Sequence, residues 1–175
     1  GGSCFPKDVK EIASYAKSVG QTESLFIKID DLNEKRIPKL MAHYDQLVGG
    51  FAGKTVAILG LSFKKNTNDT RVAPSLAVIP WLVQKGAKIR ATDPKAIDEA
   101  KPLLPAEVEY YPDPYTTVQG AHVVILLVEW DEYTSLDLSK LSTLMLEPKY
   151  FLDTRNQYNS TTATTAGLKY KGIGR

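Results

Sequence analysis

The sequence predicts an α/β protein, a doubly wound and mainly parallel sheet preceded by a helical connector. Three observations carry this reading. Short runs rich in β-branched residues, such as TVAILG at 55–60 and AHVVILLVEW at 121–130, are of the kind that fill parallel strands buried on both faces. Strand-like and helix-like stretches then alternate, the order that builds a parallel sheet. Finally, paired glycines in VGGFAGK at 48–54 interrupt a helical first zone, which divides the chain into residues 1–50 and 51–175.

Residues 1–50 read as helical. Pro6 sits in a first helical turn, where its missing N–H costs nothing. Val9, Ile12, Ala13, Ala16 and Val19 recur at helical spacing until Gly20 ends the run. A second stripe follows with Leu25, Phe26, Ile29, Leu32, Ile37, Leu40, Met41, Tyr44 and Leu47; Pro38 is expected to kink or split that helix. Packing on its own domain and acting as a connector or subunit contact are both open to this stripe.

Strand, helix, strand then repeats. TVAILG is the first strand, and Pro74 to Lys85 is helical, ending at Gly86 and bent by Pro80. AKIRATDP is a second strand closed by an Asp-Pro turn, VEYY a third and AHVVILLVEW a fourth. YFLDTRN is a fifth, 160–166 a small helix and LKYKGIG a last strand.

Ligands of open α/β sheets gather beyond the strands' carboxyl ends, with the first strand-to-helix turn the usual phosphate site. Here that turn is GLSFKKNTNDTR, Gly60 to Arg71. It holds only the first glycine of a G-x-G-x-x-G pattern and is not a Walker loop. In place of glycines it offers Lys64, Lys65 and Arg71, with Phe63 as a flat surface. Such a loop binds anions through side chains, although a solvated basic loop has the same composition. Arg155, just past the fifth strand, is carried by a parallel sheet to the same edge. There it either forks onto a diphosphate or sugar, or pairs with Asp153 or another carboxylate. His43 and His122 lack metal-ligand spacing and read as structural, so no metal is expected.

The chain opens with GGSCFPKD, and Cys4 is its single cysteine. A thiol at a helix's amino end feels exposed N–H groups and the positive end of the macrodipole, which favour thiolate. Lys7 adds to that effect. Asp8 opposes it, but four residues on it could hold a water or take a proton. Gly1 and Gly2 leave room for a substrate, or are a linker remnant.

The 175 residues carry 43% hydrophobic and 24% charged side chains, ordinary for a soluble globular protein. A net charge of +2, with dispersed Lys and Arg, speaks against nucleic-acid or membrane-surface binding. No apolar run reaches the roughly 18 residues of a membrane span. One cysteine excludes an internal disulfide framework and fits a reducing, cytoplasmic compartment. The missing initiator methionine is expected of a fragment or a processed chain.

GGSCFPKD resembles the catalytic cysteine motif of the UDP-glucose/GDP-mannose dehydrogenase family. GLSFKKNTNDTR resembles the loop that opens that family's C-terminal nucleotide-sugar domain. YFLDTRNQYN and the closing YKGIGR are similar to the last segments of its bacterial members that oxidise UDP-glucose. The resemblance spans the whole chain in order. It implies a Rossmann-like fold for 51–175, a homodimer through the helix around Leu25–Val48, and a chain that begins inside an active-site loop because the upstream half is missing.

The activity implied is oxidation of the sugar's C6 alcohol to an acid in two hydride transfers to NAD, giving UDP-glucuronate for surface polysaccharide. Cys4 matches the nucleophile that passes through a thiohemiacetal and a thioester, and thiolates suit such additions. Asp8 matches the carboxylate assisting water and proton transfers. Lys7 and Arg71 match positions facing NAD, while Gly1, Phe63, Lys64 and Arg155 match contacts to the nucleotide sugar. The family's upstream lysine, asparagine and glutamate and its dinucleotide-binding glycines have no counterpart here, so this chain is expected to bind a nucleotide sugar weakly without turning it over. The alternatives are a member acting on GDP-mannose or a UDP-N-acetylhexosamine, and a nucleotide-binding module without catalysis.

Overall fold

The computed structural model describes residues 5–174. The chain divides into two compact units, Gly1–Leu47 and Val48–Arg175.

The described part of the first unit is a pair of helices, α1 (Phe5–Ser18) and α2 (Leu25–Leu47). Helix α1 buries Val9, Ala13 and Ala16, one stripe at helical spacing, and packs on α2. An ion pair between Lys10 and Glu34, 2.7 Å apart, also joins the two helices. Of the two outcomes expected at Pro38, a kink or a split, the split does not occur: a single helix runs through it. The ring removes only the bond that an N–H at 38 would make to the carbonyl of Glu34. With more than two turns on either side, the costly nucleation step is already met and propagation continues. Leu25, Phe26, Ile29 and Leu32 remain exposed, whereas Met41 and Tyr44 are buried.

The second unit is one six-stranded sheet in the order β3-β2-β1-β4-β5-β6. Its strands are β1 (Thr55–Leu59), β2 (Lys88–Thr92), β3 (Glu109–Tyr110), β4 (Val123–Leu126), β5 (Tyr150–Asp153) and β6 (Lys169–Gly172). Every pairing is parallel, so the sheet goes beyond the mainly parallel expectation. In register, Val56 lies between Ile89 and Val123, and Val123 is followed outward by Tyr150 and Lys169. The central β4 is buried at all four positions, and each such side chain contributes about 1.5–3 kcal/mol of transfer free energy.

Helix α3 (Ser75–Gln84) joins β1 to β2, burying Val78, Ile79 and Leu82, and it runs unbroken through Pro80. Shorter helices fill the other connections: α4 (Ile97–Ala100) with a 3₁₀ turn at Lys101–Leu103, α5 (Pro114–Val118), α6 (Asp131–Thr134), α7 (Leu138–Leu144) and α8 (Ser160–Thr165). Strand β4 stops at Leu126, short of the run expected to reach Trp130. Leu127 N–H still reaches back to the carbonyl of Leu59 at 2.9 Å, and the chain then turns out over the sheet's edge. This reversal of strand order between β1 and β4 is the place where such sheets open a crevice.

Candidate functional site

The loop after β1 begins with a close approach. Gly60 has φ +105°, and a Cβ built there would stand 2.5 Å from that of Val128. Only glycine lets the β1 loop lie against the β4 loop at the switch point. Leu61 and Ser62 follow, both buried, and their N–H groups donate to Asp93 Oδ2 at 2.7 and 3.0 Å. Asp93 directly follows β2 and is 4% exposed. The same oxygen accepts from Ser62 Oγ (3.1 Å) and from the Trp130 indole (3.2 Å), while Oδ1 accepts from the N–H groups of Lys95 and Ala96, both at 2.9 Å. One carboxylate thus braces the loops after β1, β2 and β4.

The rest of the β1 loop closes on itself, with Phe63 N–H donating to the carbonyl of Asp69 at 3.0 Å. Lys64 is exposed, its ammonium 5.3 Å from the centre of the Phe63 ring, and has no carboxylate partner among the described residues. Lys65 pairs with Asp131 at 2.9 Å, and that contact raises the ammonium's pKa. Arg71 forks onto Asp69 through Nε and Nη2 at 3.0 and 2.8 Å, which holds the Asp69 carboxyl at about 2.

The loop after β5 is braced the same way. Asp153, fully buried, accepts from Arg155 N–H (2.9 Å), Gln157 N–H (2.7 Å), Tyr158 N–H (3.0 Å) and the Tyr170 hydroxyl (2.9 Å). It takes only the main chain of Arg155. The guanidinium instead pairs with Glu129, Nε lying 2.5 Å from Oε2. Burial pushes the Glu129 carboxyl up, but Arg155, the loop's own backbone and Lys65 outweigh it, and the group sits below the ordinary range.

Phe63, Lys64, Arg71 and Arg155 therefore stand on loops at the carboxyl edge of one sheet, tied together by Gly60–Val128, Lys65–Asp131 and Arg155–Glu129. Lys7 and Asp8 are exposed on α1 of the other unit, with Lys7 3.6 Å from Glu11. Cys4 and Gly1 lie outside the described residues. His122 is structural: its Nδ1 accepts the N–H of Thr55 at 3.1 Å. Sequence reasoning missed Asp93, Glu129, Trp130 and Asp131. The Asp-Pro turn marked the first, and the acids that follow the buried β4 run were the only signal for the others.

A basic loop without phosphate-cradling glycines, at the switch point of a parallel sheet, suits an anionic nucleotide gripped by side chains. Residues 57–160 match the UDP binding domain of the UDP-glucose/GDP-mannose dehydrogenase family. The chain belongs to this family. Over its whole length it is 39% identical to the UDP-glucose 6-dehydrogenase TuaD of Bacillus subtilis and spans 38% of that protein. The UDP-glucose dehydrogenase of Pyrobaculum islandicum superposes on 98% of the chain with a TM-score of 0.81 at 29% identity, the match covering 37% of that structure. An NDP-N-acetyl-D-galactosaminuronic acid dehydrogenase from Methanosarcina mazei covers all of the chain at a TM-score of 0.79 and 25% identity, with 38% of its own length matched.

The sheet itself does not fit a dinucleotide. In dinucleotide-binding sheets the acid ending the second strand takes up ribose hydroxyls. Here Asp93 already accepts six donors, and Gly60 is the only glycine of its loop.

Proposed function

We propose that this chain is the C-terminal, nucleotide-sugar-binding part of an NAD-dependent UDP-glucose 6-dehydrogenase that makes UDP-glucuronate in the cytoplasm. The observation that carries the reading is the braced β1 loop, which leaves Lys64 exposed at the switch point and without an acid partner among the described residues. Lysine acts there as a point charge for a diphosphate oxygen, and Phe63 beside it offers a flat apolar surface. Arg155 adds a second cation from the loop after β5, and Gly1 is a further contact to the sugar.

Cys4 is the nucleophile for the sugar's oxidised C6, and Asp8 handles the water and proton of hydrolysis. NAD supplies the hydride acceptor when bound. The β1–β2 corner of this sheet is filled by Asp93, so the cofactor is held by a part of the longer protein, with Lys7 and Arg71 reaching toward it. A homodimer is formed through α2, for which the exposed Leu25, Phe26, Ile29 and Leu32 are the support.

Two measurements test the reading. Calorimetry of the chain is expected to show UDP preferred over GDP, with Lys64→Ala weakening UDP about tenfold, the scale of one charge-assisted bond. In the longer protein, UDP-glucose with NAD is expected to turn over faster than GDP-mannose or UDP-N-acetylhexosamines, and Cys4→Ala to abolish acid formation. Equal binding of UDP and GDP, or full turnover without the thiol, would refute it.

A further inference from the structure

Residues 129–131, Glu-Trp-Asp, follow β4, and each braces a different strand-end loop. Asp131 pairs with Lys65 of the β1 loop, the Trp130 indole donates to Asp93 at the end of β2, and Glu129 pairs with Arg155 after β5. The last contact has a distinctive geometry. The main chain of Arg155 is fixed on both sides, its N–H donating to Asp153 and its carbonyl accepting from Gln157 Nε2 at 2.7 Å. Its side chain meets Glu129 through Nε as an ion pair, 2.5 Å from an oxygen that is buried and has no hydrogen-bond partner among the described residues. Neither terminal nitrogen of Arg155 hydrogen-bonds a described residue.

A guanidinium held by Nε still has its Nη1/Nη2 end, two parallel N–H donors matched to an oxyanion. The Glu129 side chain is 23% exposed and that of Arg155 37%, so the acid is the fixed partner and the cation the presented one. We propose that Glu129 is a positioning residue for anion binding: it grips Arg155 by Nε and presents the Nη1/Nη2 end to the phosphoryl oxygens of a nucleoside diphosphate. This rests on the reading above in which Arg155 contacts the nucleotide. Holding the side chain in place beforehand removes the ordering cost that binding would otherwise meet.

The sign of one measurement decides it. On charge alone, deleting a carboxylate beside an anion site tightens anion binding; with Glu129 as the positioning group, deletion weakens it. UDP binding to the full chain is measured calorimetrically for the unaltered protein, Glu129→Gln, Glu129→Asp, Arg155→Ala and the Glu129→Gln/Arg155→Ala pair, with folding checked by circular dichroism. Arg155→Ala is expected to weaken UDP by about tenfold or more. Glu129→Gln is expected to weaken it about threefold to tenfold, and to add little once Arg155 is gone. Glu129→Asp keeps the charge but not the reach and is expected to weaken binding as well, which keeps the test decisive where the glutamine variant does not fold. Unchanged or tighter binding by the Glu129 variants, with Arg155→Ala still weakened, would overturn the positioning role and leave the Arg155 contact standing. Unchanged binding by Arg155→Ala, or no UDP binding by the unaltered chain, would remove that contact and this proposal with it.

Discussion

Asp93→Asn is the sharpest probe of how the carboxyl edge is held. The substitution keeps shape and volume but gives the side chain one acceptor and one NH₂ group in place of two acceptors. With the amide oxygen turned toward Leu61, Ser62 and Trp130, the NH₂ faces the N–H groups of Lys95 and Ala96. Two backbone donors are then left unpaired, one of them buried, at about 1–3 kcal/mol each. The opposite orientation is worse, because Oδ2 receives four donors. The expected loss is about 3–5 kcal/mol, a large part of a domain's usual 5–15 kcal/mol. Urea unfolding followed by tryptophan fluorescence suits the test, since Trp81 and Trp130 both belong to the second unit. With a slope of about 1–3 kcal/mol/M, the midpoint should fall by more than about 1 M. A loss below about 1 kcal/mol at unchanged slope would refute the bracing argument.

Gly60→Ala should cost about 2–4 kcal/mol, from overpacking against Val128 and from a φ that side-chain-bearing residues rarely adopt, and a thermal melt within error of the unaltered chain would contradict this. The Asp69 carboxyl should titrate at about 2 by carbon-detected NMR and return toward 3.8 in Arg71→Ala. Because the folded value is depressed, its contribution to stability is complete above 3.8 and is lost as pH falls through about 2. The Arg71 side chain is 79% exposed, so solvent screens the pair, that contribution is small, and the titration itself is the readout. A midpoint near 3.8 in the unaltered chain would show that the Arg71–Asp69 fork does not persist in solution.

The centre of the sheet was legible because β1 and β4 are continuous apolar runs: burial on both faces leaves no polar alternation, and Val, Ile and Leu then write the strand into the sequence. Helices α4 to α7 were not legible, because four to seven residues cannot display a helical period. Two of them nevertheless carried readable starts. Asp113 caps α5 by accepting Thr116 N–H, with Pro114 in the first turn, and Asp137 caps α7 by accepting the N–H groups of Ser139 and Lys140. At Pro38 the local chemistry was plain too, but the neighbouring turns overrode its tendency to split the helix.

The candidate site divides along the same line between local and distant information. The cations were visible as residue types at strand ends, but their pairing was not. Asp131 lies 66 positions from Lys65, and only the β1–β4 adjacency joins them. That pairing separates Lys64, unopposed by any described carboxylate, from three cations that each arrive already balanced. A diphosphate meeting this edge therefore gains from Lys64 without displacing an acid. From Lys65 it gains only by exchanging Asp131, an exposed partner of a kind that holds its cation by about 1 kcal/mol or less. Glu129 is largely buried, so in the proposal above Arg155 adds to the site by keeping its partner. On the proposed reading, selectivity for anions is set by which acids let go, and two of the three, Glu129 and Asp131, lie on the β4 loop, away from the basic segment itself.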